Sequence, residues 1–596
     1  LLEVRAARAA EAGALTGLVM RSKAHWGYDA AFLAACAPEL LIRPGEVTAR
    51  RIVVAEDARG QVLGLASLEG AAPTAQLGLL FVEPSAIGRG VGRLLYRDVL
   101  RRAAGLGVRR LVIDSDPYAT GFYRAMGATQ VPPCPAAGEP AAPPPLVRFE
   151  TAPAPLADWA RAWTGGRPAV HIGNVAEYNA QFADPSLAGE QPAAHHYACL
   201  AAFYSPHPAA LVLPRPVPAA WTELVCRQLG WTGLEVYDGL LERGPGLCEA
   251  VRARPALAAR LTGAAQPLVP WGRTRPFGEL AGRPWRPGEL RYESKYAAHG
   301  LFERILAGGG HPGVVLPGQW RAASRWAAVR LLAARTRAGE STVLKSEHGV
   351  GGSGTTVVTA AQVRAAGGAR AVLRRLPRGP LLVEEYVDGP AADGAGPRDL
   401  TYDGFVDEAG RVHTVGAARM DVVDGCYGGA TVGPGAVPAS AEGPLLAFGA
   451  AVGGELAASG YRGWFDVDFV ADGTGRLAPT ETNLRLTGPS VAFMVAARLD
   501  VLRGAGHLVR VVDRVELGAR LPEAQLAELC GELARGCAES GAVFVPAIPT
   551  AAFEPAPWLG VLVAAHSAEA LDAAEELVRS GARAVGAMFG PSGAAR

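Results

Sequence analysis

GYRGWFDVDFVADGTGRLAPTETNLRLTGPS, residues 460–490, is the stretch on which the fold turns. GWFDVDFVA predicts a strand, Asp472 and Gly473 a turn, and LAPTETN a returning strand. On such a hairpin Asp468 and Glu481 fall on facing strands. Asn483 lies one same-face step beyond Glu481, because side chains alternate with period two. Two carboxylates and an amide oxygen are hard oxygen donors that suit Mg²⁺, which keeps water or phosphate oxygens in its other positions. Asp468, Glu481 and Asn483 are therefore the candidate metal ligands.

Upstream, GPLLVEEYVDGP (379–390) reads as an apolar strand ending in two carboxylates. TVLKSEHGVGGSGTTVV (342–358) reads as a strand carrying Lys345, a loop with Gly349, Gly351, Gly352 and Gly354, and a second strand. Such a loop can fold over a triphosphate and donate backbone N–H groups to it. It is not a Walker loop, since no G-K-[ST] opens a helix. In YESKYAAHGLFERILAGGGHPGVVLPG (292–318), Lys295 starts a helix that ends in glycines. Lys295 and Lys345 are two of only three lysines among 58 basic residues, and Asn483 is one of only three asparagines. In a chain this rich in Ala, Gly, Arg and Pro, a surviving lysine marks a place where a compact ammonium is needed and a guanidinium does not serve.

This order of motifs (Lys, Lys with a glycine loop, E-E-Y-V, D-x-D-F, E-x-N) resembles the ATP-grasp superfamily. The E-x-N-x-R-x-T-G ending resembles ligases that form peptide or amide bonds in actinobacterial natural-product pathways. The resemblance covers about residues 165–500, with a Rossmann-like pre-ATP-grasp unit in front. It implies that Lys295 and Lys345 contact the ATP phosphates under the glycine loop, that Glu384 and the backbone of Val387 hold adenine, and that Asp399 holds the ribose. Asp468, Glu481 and Asn483 would bind Mg²⁺. Arg485 would face the transferred phosphoryl group or the carboxylate, where a guanidinium fork is suited, and Arg419 is a second, weaker catalytic candidate. The implied chemistry activates a small-molecule carboxylate as an acyl phosphate and couples it to an amine.

In the N-terminal part, LLFVEPSAIGRGVGRLLYRDVL (79–100) runs strand, glycine turn, helix, and DSDPYATGFYRAMGA (114–128) sets Phe122 and Tyr123 before a glycine stop. Bared N–H groups at a helix N-terminus bind phosphate. Here the sequence resembles the GNAT acyltransferases over about residues 1–130. By that resemblance Gly88, Arg89, Gly90, Val91 and Gly92 cradle the pyrophosphate of acetyl-CoA or another acyl-CoA, and Val82 offers backbone to the pantetheine arm. Tyr123 would protonate the leaving thiolate. Ile87 departs from the Gln or Arg common in the family, and Asp116 stands where Asn is common. His25, Trp26 and Tyr28, beside Lys23, fall where the family lines its acceptor pocket; an aromatic cluster closing the core is the other reading.

The expected fold is therefore multidomain α/β. It comprises a GNAT-like unit (1–130), a Pro-rich linker (131–164), a pre-ATP-grasp unit (165–290), an ATP-grasp unit (291–504) and a small C-terminal α/β cap (505–596). A linker of that kind would let the units fold separately. A net charge of +1 gives no electrostatic footprint for nucleic acid or an anionic membrane. No long apolar run predicts a membrane span or a secretory leader, and the scattered cysteines suit cytosolic thiols, so a cytoplasmic location is expected. Nothing in the composition excludes a homo-oligomer. The alternative to a bifunctional ligase and N-acyltransferase is a regulatory acetyltransferase whose ATP-grasp region senses nucleotide.

Overall fold

The computed structural model describes residues 2–132, 146–241, 246–263, 265–349, 354–376, 379–389, 398–423 and 425–589. Gly351, Gly352 and residues 133–145 of the Pro-rich linker lie outside them. Among the described residues, no helix is long and apolar enough to cross a membrane.

The N-terminal unit has two short sheets that share one interrupted strand. Thr74–Leu77 runs parallel to Arg110–Ser115, pairing Leu77 with Ile113. After Gly78 and Leu79 the chain changes partner, and Leu80–Val82 pairs antiparallel with Val62–Ala66. Two strands that start side by side therefore part, and a cleft opens between Val82 and Ser115. The strand Val147–Thr151 adds to this sheet beside Arg110–Ser115. The N-terminal sheet thus reaches past the proline-rich stretch into the region read as linker, because an RFET alternation there has a free strand edge to pair with.

The next unit is a parallel four-stranded sheet, ordered Glu235–Tyr237, Pro208–Val212, Ala169–Ile172, Leu268–Pro270. A small antiparallel sheet follows, ordered Gln319–Ala322, Leu381–Glu385, Thr342–Ser346, Thr355–Val358. The rest centres on an eight-stranded antiparallel sheet: Leu477–Asn483, Gly463–Ala471, Asp399–Val406, Val412–Val423, Cys426–Val432, Leu508–Glu516, Trp558–Ala565, Val543–Ile548. Its last three strands come from the region read as a separate cap. That region is α/β, but it continues the central sheet, since Val509 pairs with Val432 and Ala564 with Val509. Buried valines on both faces of these strands need a neighbouring strand edge more than a sheet of their own.

One helix ties the units together. Gly488–Arg503 is 16 residues, about 24 Å at 1.5 Å per residue. Near its end Arg498 donates to Leu229 O and Gly230 O, both at 2.7 Å. Arg503 donates to Ala125 O at 2.7 Å and Gly541 O at 3.0 Å. These carbonyls lie at helix C-termini, where a guanidinium meets the negative end of the dipole. Thr151 Oγ1 also donates to Arg503 O, at 3.2 Å. The N-terminal unit is thus docked on the rest. We expect Arg503→Ala to cost about 2–3 kcal/mol, since its two bonds from a charged donor, each contributing about 1.5–3 kcal/mol, are partly offset by the cost of burying the guanidinium. Urea unfolding followed by tryptophan fluorescence measures it; an unchanged midpoint would mean that the docking contributes nothing.

Candidate active sites

The hairpin of residues 463–483 sets the central site. Its register pairs Asp468 with Glu481 and Asp466 with Asn483, and the adjoining strand pairs Asp466 with Asp403 and Asp468 with Thr401. Opposite and alternate residues share a face, so Asp403, Asp466, Asp468, Glu481 and Asn483 all point to one side. Burial pushes the carboxyls of Asp466 and Asp468 well above the usual range, and repulsion among Asp403, Asp466, Asp468 and Glu481 adds to it. Asp403 is pushed up to about 7 by burial, although Trp464 Nε1 (2.8 Å) and Ser490 Oγ (3.0 Å) donate to it. Burial also works against the charge on Glu481. The ammoniums of Lys295 and Lys345 outweigh it and hold Glu481 below its ordinary value.

Both lysines are buried against carboxylates. Lys295 Nζ lies 2.5 Å from Glu481 Oε2 and donates to Gly349 O at 2.7 Å, so it joins the hairpin to the start of the glycine loop. Lys345 Nζ donates to Glu384 Oε1 at 2.7 Å, and Gln319 Nε2 donates to Glu384 Oε2 at 2.8 Å. Both oxygens of Glu384 thus serve protein partners. Asn483 Nδ2 donates to Asp466 Oδ1 at 2.7 Å and lies 3.3 Å from Asp468 Oδ2, while its Oδ1 accepts from Arg485 Nη2 at 2.8 Å. Arg485 also lies 3.6 Å from Glu293 Oε1.

Asp399 shares the face of Thr401 and Asp403 at the start of its strand, pairing with Val470, and burial raises its carboxyl. Val387 O accepts from Arg398 Nη2 at 2.8 Å. A cleft of 340 Å³ runs between Leu316, Tyr386 and Val387 on one side and the hairpin turn at Asp472, Gly473 and Thr474 on the other. Arg419 pairs with Leu400, one step out of the row that joins Thr401 to Asp468, and its nearest carboxylate is Asp421 at 3.8 Å. The pleat turns it to the opposite face, so the fold does not bring it to the carboxylates.

A divalent cation fits this donor set: crowded buried carboxylates repel one another, and positive charge relieves them. Among the described residues no three of His, Cys, Asp and Glu surround one point. The residues offered are two carboxylates, Asp468 and Glu481, with the Asn483 amide as third donor. Asp403 and Asp466 are additions that sequence reasoning missed. The D-x-D spacing could have revealed Asp466, whereas Asp403 is known only from strand pairing.

In the N-terminal unit, Gly88 and Gly90 have φ of +80° and +83°, which a side chain would strain. Gly90 caps the helix Val91–Gly105. The N–H groups of Val91 and Gly92 belong to its first turn and have no intrahelical acceptor. Arg89 is exposed, and its own N–H is taken by Ala86 O at 3.2 Å. Val82 faces Gly92 across the turn, and Phe122 also packs there. Tyr123 is buried among Tyr96, Phe122 and Phe149, and burial pushes its phenol upward, so it stays protonated. Asp116, at the open end of the cleft, accepts from Lys23 Nζ at 2.5 Å and Tyr28 Oη at 2.9 Å. Trp26 stacks on Tyr118 at 5.7 Å and both are exposed, so this cluster lies at a surface and does not close a core.

No curated protein matches the chain. Among solved structures, the PaiA N-acetyltransferase of Thermoplasma acidophilum in complex with coenzyme A is 14% identical, with a TM-score of 0.23; the match covers 26% of this chain and 99% of that one. An N5-carboxyaminoimidazole ribonucleotide synthetase in an ADP complex is 12% identical, with a TM-score of 0.41, over 69% of this chain and 95% of that one. The carboxyaminoimidazole ribonucleotide synthase of Aspergillus clavatus complexed with ATP is 13% identical, with a TM-score of 0.39, over 59% of this chain and 93% of that one. The family model that matches is the acetyltransferase (GNAT) family, over residues 23–128. The chain is thus a multidomain α/β protein whose N-terminal unit is a GNAT-family domain.

Proposed function

We propose that the chain is an ATP-grasp carboxylate–amine ligase, ADP-forming, fused to a CoA-dependent N-acyltransferase of small-molecule biosynthesis. The observation that carries the ligase reading is the single sheet face where Asp468, Glu481 and Asn483 meet Lys295 and Arg485. Lys345, also buried, acts electrostatically on Glu481. A substrate carboxylate oxygen attacks the γ-phosphorus of ATP, the bond to the β-phosphate oxygen breaks, and ADP leaves. The amine then attacks the acyl carbon, the bond to phosphate oxygen breaks, and phosphate departs as the amine loses its proton. Mg²⁺, held by Asp468, Glu481 and Asn483, would supply charge neutralisation at the phosphates.

The chain's own residues do the rest. Lys295 and Lys345 hold phosphate oxygens, and Arg485 takes the transferred group or the carboxylate. Glu384 sets Lys345 in place and, with the backbone of Val387 at the cleft, holds adenine. Asp399 holds the ribose. Asp466 orients the Asn483 amide, whose oxygen would turn from Arg485 toward the metal. In the acyltransferase, the turn at Gly88, Arg89, Gly90, Val91 and Gly92 takes the CoA pyrophosphate, Val82 the pantetheine arm in the parted strands, and Tyr123 protonates the thiolate. We expect ligase turnover to release ADP and phosphate in equal amounts, one of each per amide formed; stoichiometric AMP would sink the reading.

One observation favours the nucleotide-sensing alternative. The helix Gly488–Arg503 starts three residues after Arg485 and ends on Arg503, which bonds Ala125 O, two residues past Tyr123. Acyl transfer assayed with and without ATP, in the absence of a carboxylate substrate, separates the two readings.

A further inference from the structure

The helix Val91–Gly105, which follows the glycine turn, packs directly on Gly488–Arg503. Arginines crowd where the two meet. Arg93 and Arg97 lie four residues apart on the first helix, so they are neighbours on one face. Arg97 packs against Gly230, just past the end of the helix Ala219–Leu229, and Arg498 Nη2 donates to Gly230 O at 2.7 Å. Arg503 reaches the same seam from the end of its own helix, and Arg227 stands in the last turn of Ala219–Leu229. Burial, with repulsion from Arg93, Arg498 and Arg503, pushes Arg97 down to about 9. Burial and repulsion from Arg227 lower Arg93 as well.

Among the described residues none of these five arginines makes an ion pair. The one carboxylate of the helix Val91–Gly105, Asp98, already serves Arg101 and Arg102. Backbone carbonyls take up Arg498 and part of Arg503, whereas Arg97 Nε and Arg503 Nε are buried donors with no hydrogen-bond partner. Like charges gathered without a counter-ion are costly, and an anion relieves them. Arg93 and Arg227 are exposed, so both are open to a ligand, and Arg97 is half-buried beside Arg93. A carboxylate is filled by one guanidinium fork, whereas a phosphate group offers three oxygens and two charges and can take two forks. We propose that this seam is a phosphate-binding site, in which Arg93 of the N-terminal unit and Arg227 of the unit behind it close on one phosphate dianion while Arg97 adds charge. Arg93 stands in the first turn after the glycine cradle, so the phosphate is the 3′-phosphate of a CoA held there or free inorganic phosphate. The first source rests on the acyltransferase reading above, and the second does not.

Calorimetric titration of the full chain with CoA and with dephospho-CoA, which lacks only the 3′-phosphate, tests the first source. Thermal melts in sodium phosphate against sodium chloride of equal ionic strength test the second. Both are run on the wild type and on Arg227→Gln, a change at an exposed side chain outside the glycine turn. We expect CoA to bind about tenfold tighter than dephospho-CoA, and Arg227→Gln to remove most of that preference while leaving dephospho-CoA unchanged. If free phosphate is the ligand, phosphate raises Tm above the chloride value and Arg227→Gln removes the rise. The proposal is overturned if Arg227→Gln moves neither quantity. A phosphate rise that Arg227→Gln removes, in a chain that binds no CoA, keeps the seam site and removes the acyltransferase reading. Tight CoA binding with no 3′-phosphate preference and no phosphate rise keeps the acyltransferase and removes this site.

Discussion

Glu481→Ala and Asn483→Ala are each expected to lower amide formation by about a hundred- to a thousandfold, the scale seen when a preorganised group at a charge-transferring site is removed. Glu481 is the carboxylate on which Lys295 Nζ rests at 2.5 Å and the one that pairs across the hairpin with Asp468. Its loss removes a metal donor and leaves a buried ammonium without its partner. Asn483 is held between Asp466 Oδ1 at 2.7 Å and Arg485 Nη2 at 2.8 Å, so its loss frees both charged groups from the amide that separates them. ADP release measured with saturating substrates checks the effect. Acyl transfer in the same variants should stay near wild type, because the docking of the N-terminal unit runs through Arg503 and Thr151 and uses neither residue. Loss of acyl transfer in a folded variant would make the two sites one coupled system and favour nucleotide sensing.

Lys345→Ala is expected to destabilise the protein by about 3–5 kcal/mol, because it leaves Glu384 as a buried charge without its counter-ion. Lys345 is 6% exposed and Glu384 3%, so solvent does little to screen the loss. Lys345→Arg keeps the charge but must fit a larger planar group into the same space, and a guanidinium needs fork geometry to bond well. We expect at least a tenfold loss of ligase rate, about 1.4 kcal/mol in the barrier, together with a lower Tm. A lysine beside an open, water-filled cleft would give a rate effect with unchanged stability. Burial against Glu384 adds the stability effect. Thermal melts without nucleotide and steady-state turnover decide it: wild-type values for Lys345→Arg in both would mean that the rarity of lysine in this chain carries no weight.

Much of the central site is legible in residues 460–490, because a hairpin is local: strand alternation and a turn of known type set which side chains share a face. That is why spacing alone groups Asp468, Glu481 and Asn483. The glycine turn before Val91–Gly105 is legible for the same reason, since phosphate-binding backbone at a helix start is built from neighbouring residues. Asp403 was not legible, because its place beside Asp466 depends on a strand sixty residues away. Arg419 misled, because only the register against Leu400 tells which face it takes.

The element types, the turn residues, the hairpin's carboxylate row and the two lysines are set by period, spacing and composition over short stretches of chain. That residues 508–565 continue the central sheet, that Val147–Thr151 completes the N-terminal one, and that Arg503 docks the first unit on the rest is visible in the folded chain alone. Those outcomes depend on which free strand edge and which helix end lie within reach after folding. Pairing of distant segments is fixed by long-range packing and hydrogen bonding, and local sequence carries no record of its partner.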